Sequence, residues 1–176
     1  MGDVKKITYC GLISALSVAI MFIGGLVSFL DYSVSGLCGA FLIVVVLEIG
    51  RARAFLVYLT VSALSLILIS EKNIALTYIL IFGYYPMLKS PIEKLNAKIL
   101  EYFLKLSIFF ISNVLYFSLT ALLFGLDFLM ESGFLMLVLS FLASVLTSQV
   151  YDIFLSCFAT HYIKVLRPKI FKYIFK

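Results

Sequence analysis

Long stretches without a charged side chain dominate this 176-residue sequence. Five are entirely uncharged and a sixth holds a single acid; they cover residues 7–30, 32–47, 54–70, 73–88, 106–126 and 132–163. A helix crosses a bilayer with about 20 apolar residues, within a range of about 17–25. The first, fifth and sixth runs are long enough to cross a bilayer. The other three are short, with 16 or 17 residues each, so a re-entrant segment is the alternative for each.

Composition predicts the same class of protein. Apolar residues make up 64% of the chain and charged residues 13%, whereas soluble domains have about 45–50% and about 25%. The mean hydropathy is +1.16. A single domain cannot bury this much apolar surface within itself, so lipid must cover part of it. We therefore expect an all-α, polytopic membrane domain that covers residues 1–176.

The basic residues indicate the number and orientation of the spans, because cytoplasmic loops carry an excess of Lys and Arg. Six spans with an internal N-terminus place thirteen of the fourteen basic residues on the cytoplasmic side and leave only Lys72 outside. Removing any one span would place basic loops on both sides. The predicted fold is a six-helix bundle with both termini cytoplasmic and spans near 7–30, 32–48, 54–70, 73–88, 104–126 and 132–163.

Two basic segments have an amphipathic pattern. Within residues 89–105 four charged side chains share one helical face, and large apolar side chains lie opposite or beside it; the four are Lys94, Lys98, Glu101 and Lys105. The C-terminal segment 164–176 mixes five basic residues with large apolar ones. Helices that lie on an anionic membrane surface have this composition, and docking to a partner protein is the alternative. Since the basic residues form no continuous face, nucleic-acid binding is not expected.

Motifs for catalysis and cofactor binding are absent from the sequence. There is no G-x-x-x-x-G-K-[ST], H-E-x-x-H or G-x-S-x-G pattern, so the chain has no usual means of hydrolysing a nucleotide. His161 is the only histidine, and Cys10, Cys38 and Cys157 form no C-x-x-C pair. We expect neither an enzyme nor a resident metal or cofactor.

The sixth run carries one stripe of polar residues at four-residue spacing, formed by Ser144, Ser148, Asp152 and Ser156. A charged group in the bilayer core costs about 2.5–3.5 kcal/mol on insertion scales. Asp152 should therefore face the bundle interior and have a partner. Arg51 or Arg53, at the turn between the second and third spans, is the predicted partner in a structural ion pair. A proton or ion site is the alternative.

Other polar residues are candidates for ligand binding. At mid-membrane depth these are Asn113, Tyr116, Ser144 and Ser148. Near the outer surface they are Asp31, Tyr32, Glu71, Lys72, Asn73, Asp127 and Glu131. Together they are predicted to line an outward-facing pocket for a small polar ligand. For each residue alone, a helix-packing hydrogen bond or a solvated loop charge is the alternative.

The first span has small residues at every fourth position: Gly11, Ala15 and Ala19. Small residues let two helices approach closely in lipid, where packing drives association. Such a face either packs against a neighbouring span of the same chain or docks a second membrane protein.

This combination of features resembles the substrate-binding S component of energy-coupling-factor vitamin transporters. In that family an A-x-x-x-A pattern on the first helix contacts the transmembrane coupling subunit, and Ala15 and Ala19 match it. The stretches 47–51 and 82–90 resemble uncharacterised membrane proteins of low-GC Gram-positive bacteria that share this fold. The resemblance implies a bacterial cell-membrane subunit that binds a small solute such as a vitamin, with a coupling subunit and its ATPases as partners.

A second resemblance gives a different class of function. The size and topology are also similar to the rod-shape-determining subunit of the bacterial cell-wall machinery, a membrane scaffold that does not transport. The small-residue face of the first span would then recruit envelope proteins. Neighbouring genes distinguish the two, since ATPase and coupling-subunit genes favour transport and cell-wall genes favour the scaffold.

Overall fold

The computed structural model describes residues 3–26, 31–94, 98–125 and 134–168, apart from the side chain of Phe134. All regular structure in these ranges is helical. The elements are α1 (Asp3–Gly24), α2 (Asp31–Glu48), α3 (Arg51–Leu68), α4 (Lys72–Thr77), a π-helical turn (Tyr78–Phe82), α5 (Tyr85–Ile92), α6 (Lys98–Phe124), α7 (Phe134–His161) and a second π-helical turn (Tyr162–Leu166).

Among the described residues, five helices are long and apolar enough to cross a membrane: Asp3–Gly24, Asp31–Glu48, Arg51–Leu68, Lys98–Phe124 and Leu135–Leu166. Their outward faces carry large apolar side chains, such as Ile99 at 88% and Leu122 at 80% exposure. A soluble monomer rarely exposes apolar patches on this scale. The predicted class, an all-helical multi-pass membrane protein, is confirmed.

The fourth predicted span, 73–88, is a broken helix rather than a continuous one. A π-helical turn follows α4, and its last bond runs from the Gly83 amide to the Tyr78 carbonyl oxygen over 2.7 Å. Pro86, which has no amide hydrogen, then lies in the first turn of α5. The segment packs against α2 and α6, and several of its large side chains, including Phe82 and Tyr85, are fully buried. It is therefore part of the core of the bundle.

Helix α2 is central to the packing. One buried cluster joins it to α1 and α3 around Met21, Cys38 and Val61. A second cluster joins it to the broken segment, α6 and α7 around Phe82 and Phe109. Because α2 contributes to both clusters, it links the two halves of the bundle.

The predicted amphipathic helix at 89–105 is wrong. Helix α5 ends at Ile92, α6 begins at Lys98, and residues 95–97 lie outside the described ranges. On the predicted charged face, Lys94 and Lys98 are exposed as expected, but Lys105 is buried. Lipid can cover the apolar face, whereas a lysine needs a partner that the bundle interior provides. Of the predicted surface tail 164–176, residues 169–176 lie outside the description.

Gly39 marks the closest approach between α2 and its neighbours. An added Cβ atom would lie 2.8 Å from the Phe82 carbonyl oxygen and would overlap the Tyr151 hydroxyl. That hydroxyl donates a hydrogen bond of 3.1 Å to the same carbonyl. We expect Gly39→Ala to lower the free energy of unfolding by about 1–3 kcal/mol, because overpacking forces the backbones apart. Unfolding in detergent measures the change.

Gly36→Ala is the matched control, since it adds the same methyl group to the same helix. Its Cβ atom would meet only the Tyr151 ring, at an ordinary 3.6 Å. Alanine also favours a helix over glycine by about 1 kcal/mol, so this variant should be neutral or more stable. Equal losses in the two variants would contradict the close approach at Gly39.

Candidate functional site

A polar network formed by Tyr32, Asn113, Ser144 and Ser148 connects α2, α6 and α7 inside the bundle. The amide nitrogen of Asn113 donates to Ser148 Oγ at 3.3 Å and to the Phe109 carbonyl oxygen at 2.8 Å. Ser144 donates its hydroxyl hydrogen to Asn113 Oδ1. The Tyr32 hydroxyl donates to Ser144 Oγ at 3.3 Å. A chain of hydrogen bonds therefore runs from half-buried Tyr32 to fully buried Asn113.

The structure thus brings together three of the four residues predicted to bind a ligand. The fourth, Tyr116, is also buried and lies one turn further along α6. The amide group of Asn113 is already satisfied by protein atoms, so it supports the network without offering a free donor. Tyr32 and Ser144 could not be connected from the sequence, because their contact depends on how α2 packs against α7.

A cavity of about 290 Å³ lies beside this network between α2 and α7. Its wall contains the rings of Tyr32, Phe82 and Tyr151, with Ser33, Gly36, Leu37, Thr147, Val150 and Phe154 around them. Its size is near the lower end of the range for small-molecule pockets, about 300–1,000 Å³. The predicted outer residues Asp127 and Glu131 lie outside the described ranges.

A charge cluster occupies the opposite end of the bundle and consists of Lys89, Glu93, Glu101, Lys105 and Asp152. Asp152 forms ion pairs with Lys89 and, at 3.1 Å, with Lys105. Glu93 bridges Lys89 and Lys105 over 3.0 and 3.3 Å, and Glu101 pairs with Lys105 at 2.8 Å. Both lysines are buried. The cluster therefore joins α5, α6 and α7 through ion pairs in which each charge except Glu101 has more than one partner.

Two further hydrogen bonds fix Asp152 in this cluster. The Tyr85 hydroxyl donates to Asp152 Oδ1 at 2.6 Å, and the Lys89 ammonium donates to the Asp152 backbone oxygen at 3.0 Å. A buried ion pair is tolerated when additional hydrogen bonds satisfy its remaining donors and acceptors. The arrangement is consistent with a structural role for Asp152.

The predicted pairing of Asp152 with Arg51 or Arg53 is wrong. Arg53 instead forms an ion pair of 2.9 Å with Asp3 at the start of α1, and Arg51 is exposed. The reason is the arrangement of the helices, since α3 packs against α1 and α2 whereas α7 packs against α2 and α6. The cations for Asp152 come from Lys89 and Lys105, which the sequence pattern had placed at a membrane surface.

The small-residue face of α1 is exposed and borders α3 on one side. Gly11, Ala15 and Ala19 are all exposed, and a Cβ atom on Gly11 would have no neighbour within 4 Å. Gly11 and Ala15 line a groove of about 580 Å³ between α1 and α3. Helix α1 uses its other side, which includes Ser17 and Met21, to pack within the bundle. Packing of this face against another described span is therefore not observed.

Comparisons with family models, curated proteins and solved structures find no match to this chain. Within the described ranges, no three His, Cys, Asp or Glu side chains converge as a metal site would require. Function is inferred from the polar network, the charge cluster and the exposed face of α1.

Proposed function

We propose that this chain is the membrane-embedded, solute-binding subunit of an energy-coupling-factor-type uptake system in a bacterial cell membrane. The observation that carries the proposal is the polar network of Tyr32, Asn113, Ser144 and Ser148 inside the bundle. Polar groups at membrane depth are costly and commonly mark the pathway of a substrate. The solute is a small molecule such as a vitamin, and it enters at the end of the bundle where α2 begins.

In the proposed topology the chain crosses the membrane six times and both termini are cytoplasmic. The broken segment from Lys72 to Ile92 is the fourth crossing, shielded from lipid by α2 and α6. The charge cluster then lies at the cytoplasmic end and the polar network lies toward the outer side. The distribution of basic residues supports this orientation.

Cysteine labelling tests the topology. A single cysteine at Lys94, in a variant with the three native cysteines replaced by serine, should react with a membrane-impermeant maleimide only after the cells are opened. A cysteine at Asp127 should react in intact cells. Labelling of position 94 from outside would contradict the orientation and with it the placement of the solute entrance.

In the proposed uptake system, solute binding and energy supply belong to different chains. No nucleotide-binding loop is present in this sequence, so the energy for uptake comes from a partner, namely a transmembrane coupling subunit with its ATPases. Coupling in lipid requires close contact between helices. The exposed face of Gly11, Ala15 and Ala19 provides such a contact surface, and the groove between α1 and α3 extends it.

A non-transporting membrane scaffold is the second candidate. It is favoured by the hydrogen bonds of Asn113, whose amide group is satisfied by protein atoms as in a purely structural network. The scaffold would bind its partners through the same small-residue face of α1. Purification in mild detergent followed by mass spectrometry separates the two. A co-purifying solute with a coupling subunit and ATPases supports uptake. Cell-wall proteins without any solute support the scaffold.

A further inference from the structure

The cavity of about 290 Å³ between α2 and α7 has an aromatic wall. Four of its nine lining residues are aromatic, namely Tyr32, Phe82, Tyr151 and Phe154, whereas aromatic residues make up 16% of the chain. Among the described residues that line it, none is charged. A charged group in this cavity would lose hydration without gaining an ion-pair partner. The wall therefore favours an uncharged ring.

Three of the four rings form a continuous row. The centroids of Tyr32 and Phe82 are 6.2 Å apart with an interplanar angle of 80°, and those of Phe82 and Tyr151 are 4.5 Å apart at 61°. Aromatic pairs prefer such edge-to-face arrangements, with centroids about 4.5–7 Å apart. Phe82 and Tyr151 are both buried. The wall is therefore in place before a solute enters, which lowers the ordering cost of binding.

The first π-helical turn fixes the middle ring of the row. Phe82 is the last residue of that turn, and its carbonyl oxygen accepts a hydrogen bond of 3.1 Å from the Tyr151 hydroxyl. The Tyr151 hydroxyl is thus already bonded within the protein, and its ring is the part left for a solute. Single π-helical turns occur frequently at functional sites, and this one contributes a side chain directly to the cavity.

Hydroxyl groups give the cavity a polar edge. Ser33 lies exposed in the first turn of α2. Thr147 Oγ1 donates to the Ala143 carbonyl oxygen at 2.8 Å, which leaves the acceptor sites of the Thr147 hydroxyl free. Tyr32 connects the cavity to the polar network, because its side chain lines the cavity and its hydroxyl donates to Ser144. An acyl chain would make no use of these hydroxyls, whereas an N–H group on a ring would.

The volume of the cavity indicates the size of the ring system. An apolar cavity of about 150 Å³ holds one benzene molecule. The cavity between α2 and α7, at about 290 Å³, has nearly twice that volume. Two fused rings therefore fit within it.

We propose that this cavity binds an uncharged, planar system of two fused rings that carries an N–H donor for the hydroxyl edge. The ring faces would lie against the aromatic row, and the N–H group would reach the Thr147 hydroxyl. This inference rests on the proposed solute-binding function and specifies its substrate class.

Indole has two fused rings and one N–H group and is therefore a suitable probe. The chain contains no tryptophan, so emission excited above the tyrosine absorption band comes from indole alone. Titration of the full-length protein in detergent, with empty micelles as the baseline, should show one saturable site per chain. Indole-3-acetate and tryptamine place a negative and a positive charge on the same ring and should bind about tenfold more weakly or worse. The acyl-chain analogue 1-octanol should not displace indole.

Variants connect the binding to the cavity. Thr147→Phe adds a ring at an exposed lining position and should lower the affinity for indole about tenfold or more, because the added ring occupies its place. Leu146→Phe is the matched control, since Leu146 is 67% exposed on the same helix and does not line the cavity. It should bind indole as the wild type does. If Thr147→Phe does not fold, Val150→Phe blocks the cavity from another exposed lining position.

Several results would overturn the inference. Titration without a saturable indole site would do so, and displacement by 1-octanol would show that the cavity holds an acyl chain. Equal affinities for indole and tryptamine would show that the cavity does not select an uncharged ring. Equal effects of Thr147→Phe and Leu146→Phe would place the binding elsewhere.

The solute found with the isolated protein separates this inference from the proposed function. A co-purified solute without an aromatic ring would refute the substrate class while leaving the solute-binding function intact. Protein that never carries a solute and associates only with cell-wall proteins would refute the function itself.

Discussion

Replacing Asp152 with leucine is expected to lower the free energy of unfolding by about 3–5 kcal/mol, as for other buried ion pairs that lose one partner. The change removes the carboxylate shared by Lys89 and Lys105, both of which are buried. It also leaves the Tyr85 hydroxyl without its acceptor. Lys105 keeps Glu93 and Glu101, so Lys89 should account for more of the loss. Reversible unfolding in mixed detergent micelles measures the effect.

A double-mutant cycle identifies the partner. Adding Lys89→Met to Asp152→Leu should restore part of the lost stability, because it removes a buried cation that is left with Glu93 as its one remaining ion-pair partner among the described residues. Adding Arg53→Met instead should give a sum of the single effects within about 0.3–0.5 kcal/mol, as expected for residues that share no contact. Coupling with Arg53 and none with Lys89 would show that the observed pairing is incorrect.

The combined variant Ala15→Leu and Ala19→Leu is expected to abolish uptake and co-purification with a coupling subunit. Leucine side chains would fill the face that a second helix needs for close approach in lipid. Both positions are exposed, so the free energy of unfolding should change by no more than about 0.5 kcal/mol. Any solute bound near Asn113 and Tyr116 should remain bound to the isolated protein.

Ala63→Leu is a suitable control for this experiment. It makes the same substitution at an exposed position of another membrane helix, α3, outside the residues that line the groove. It should retain both uptake and the partner. If the variant with both α1 leucines unfolds, the face is internal packing and the docking role fails. If it folds and loses only cell-wall proteins, the scaffold is the correct function.

The sequence predicts the membrane-crossing helices well because the bilayer excludes charge strongly. Span 32–48 was expected where the structure has Asp31–Glu48, and span 54–70 where it has Arg51–Leu68. The break in the helix within run 73–88 could not be predicted in this way. Hydropathy cannot distinguish a straight helix from a broken one, since the π-helical turn depends on packing against α2 and α6.

The partners of Asp152 could not be found by the same reasoning. The distribution of charges shows which side of the membrane a lysine favours, but not which helix it approaches. Lys89 and Lys105 looked like headgroup contacts because they lie near the ends of apolar runs. Their burial results from the way α5 and α6 pack against α7, which brings three carboxylates within reach.

The polar network was partly visible in the sequence. Ser144 and Ser148 stand out by their four-residue spacing, and Asn113 by its place in a long apolar run. Tyr32 and Asn73 were recognised only as outer polar residues.

Native mass spectrometry of the wild-type protein, isolated in mild detergent from cells that contain its partners, tests the proposed function most directly. We predict one population that carries a small solute in a one-to-one ratio and a second in complex with a coupling subunit and ATPases. Protein that is always free of solute and associates only with cell-wall proteins would contradict a solute-binding subunit.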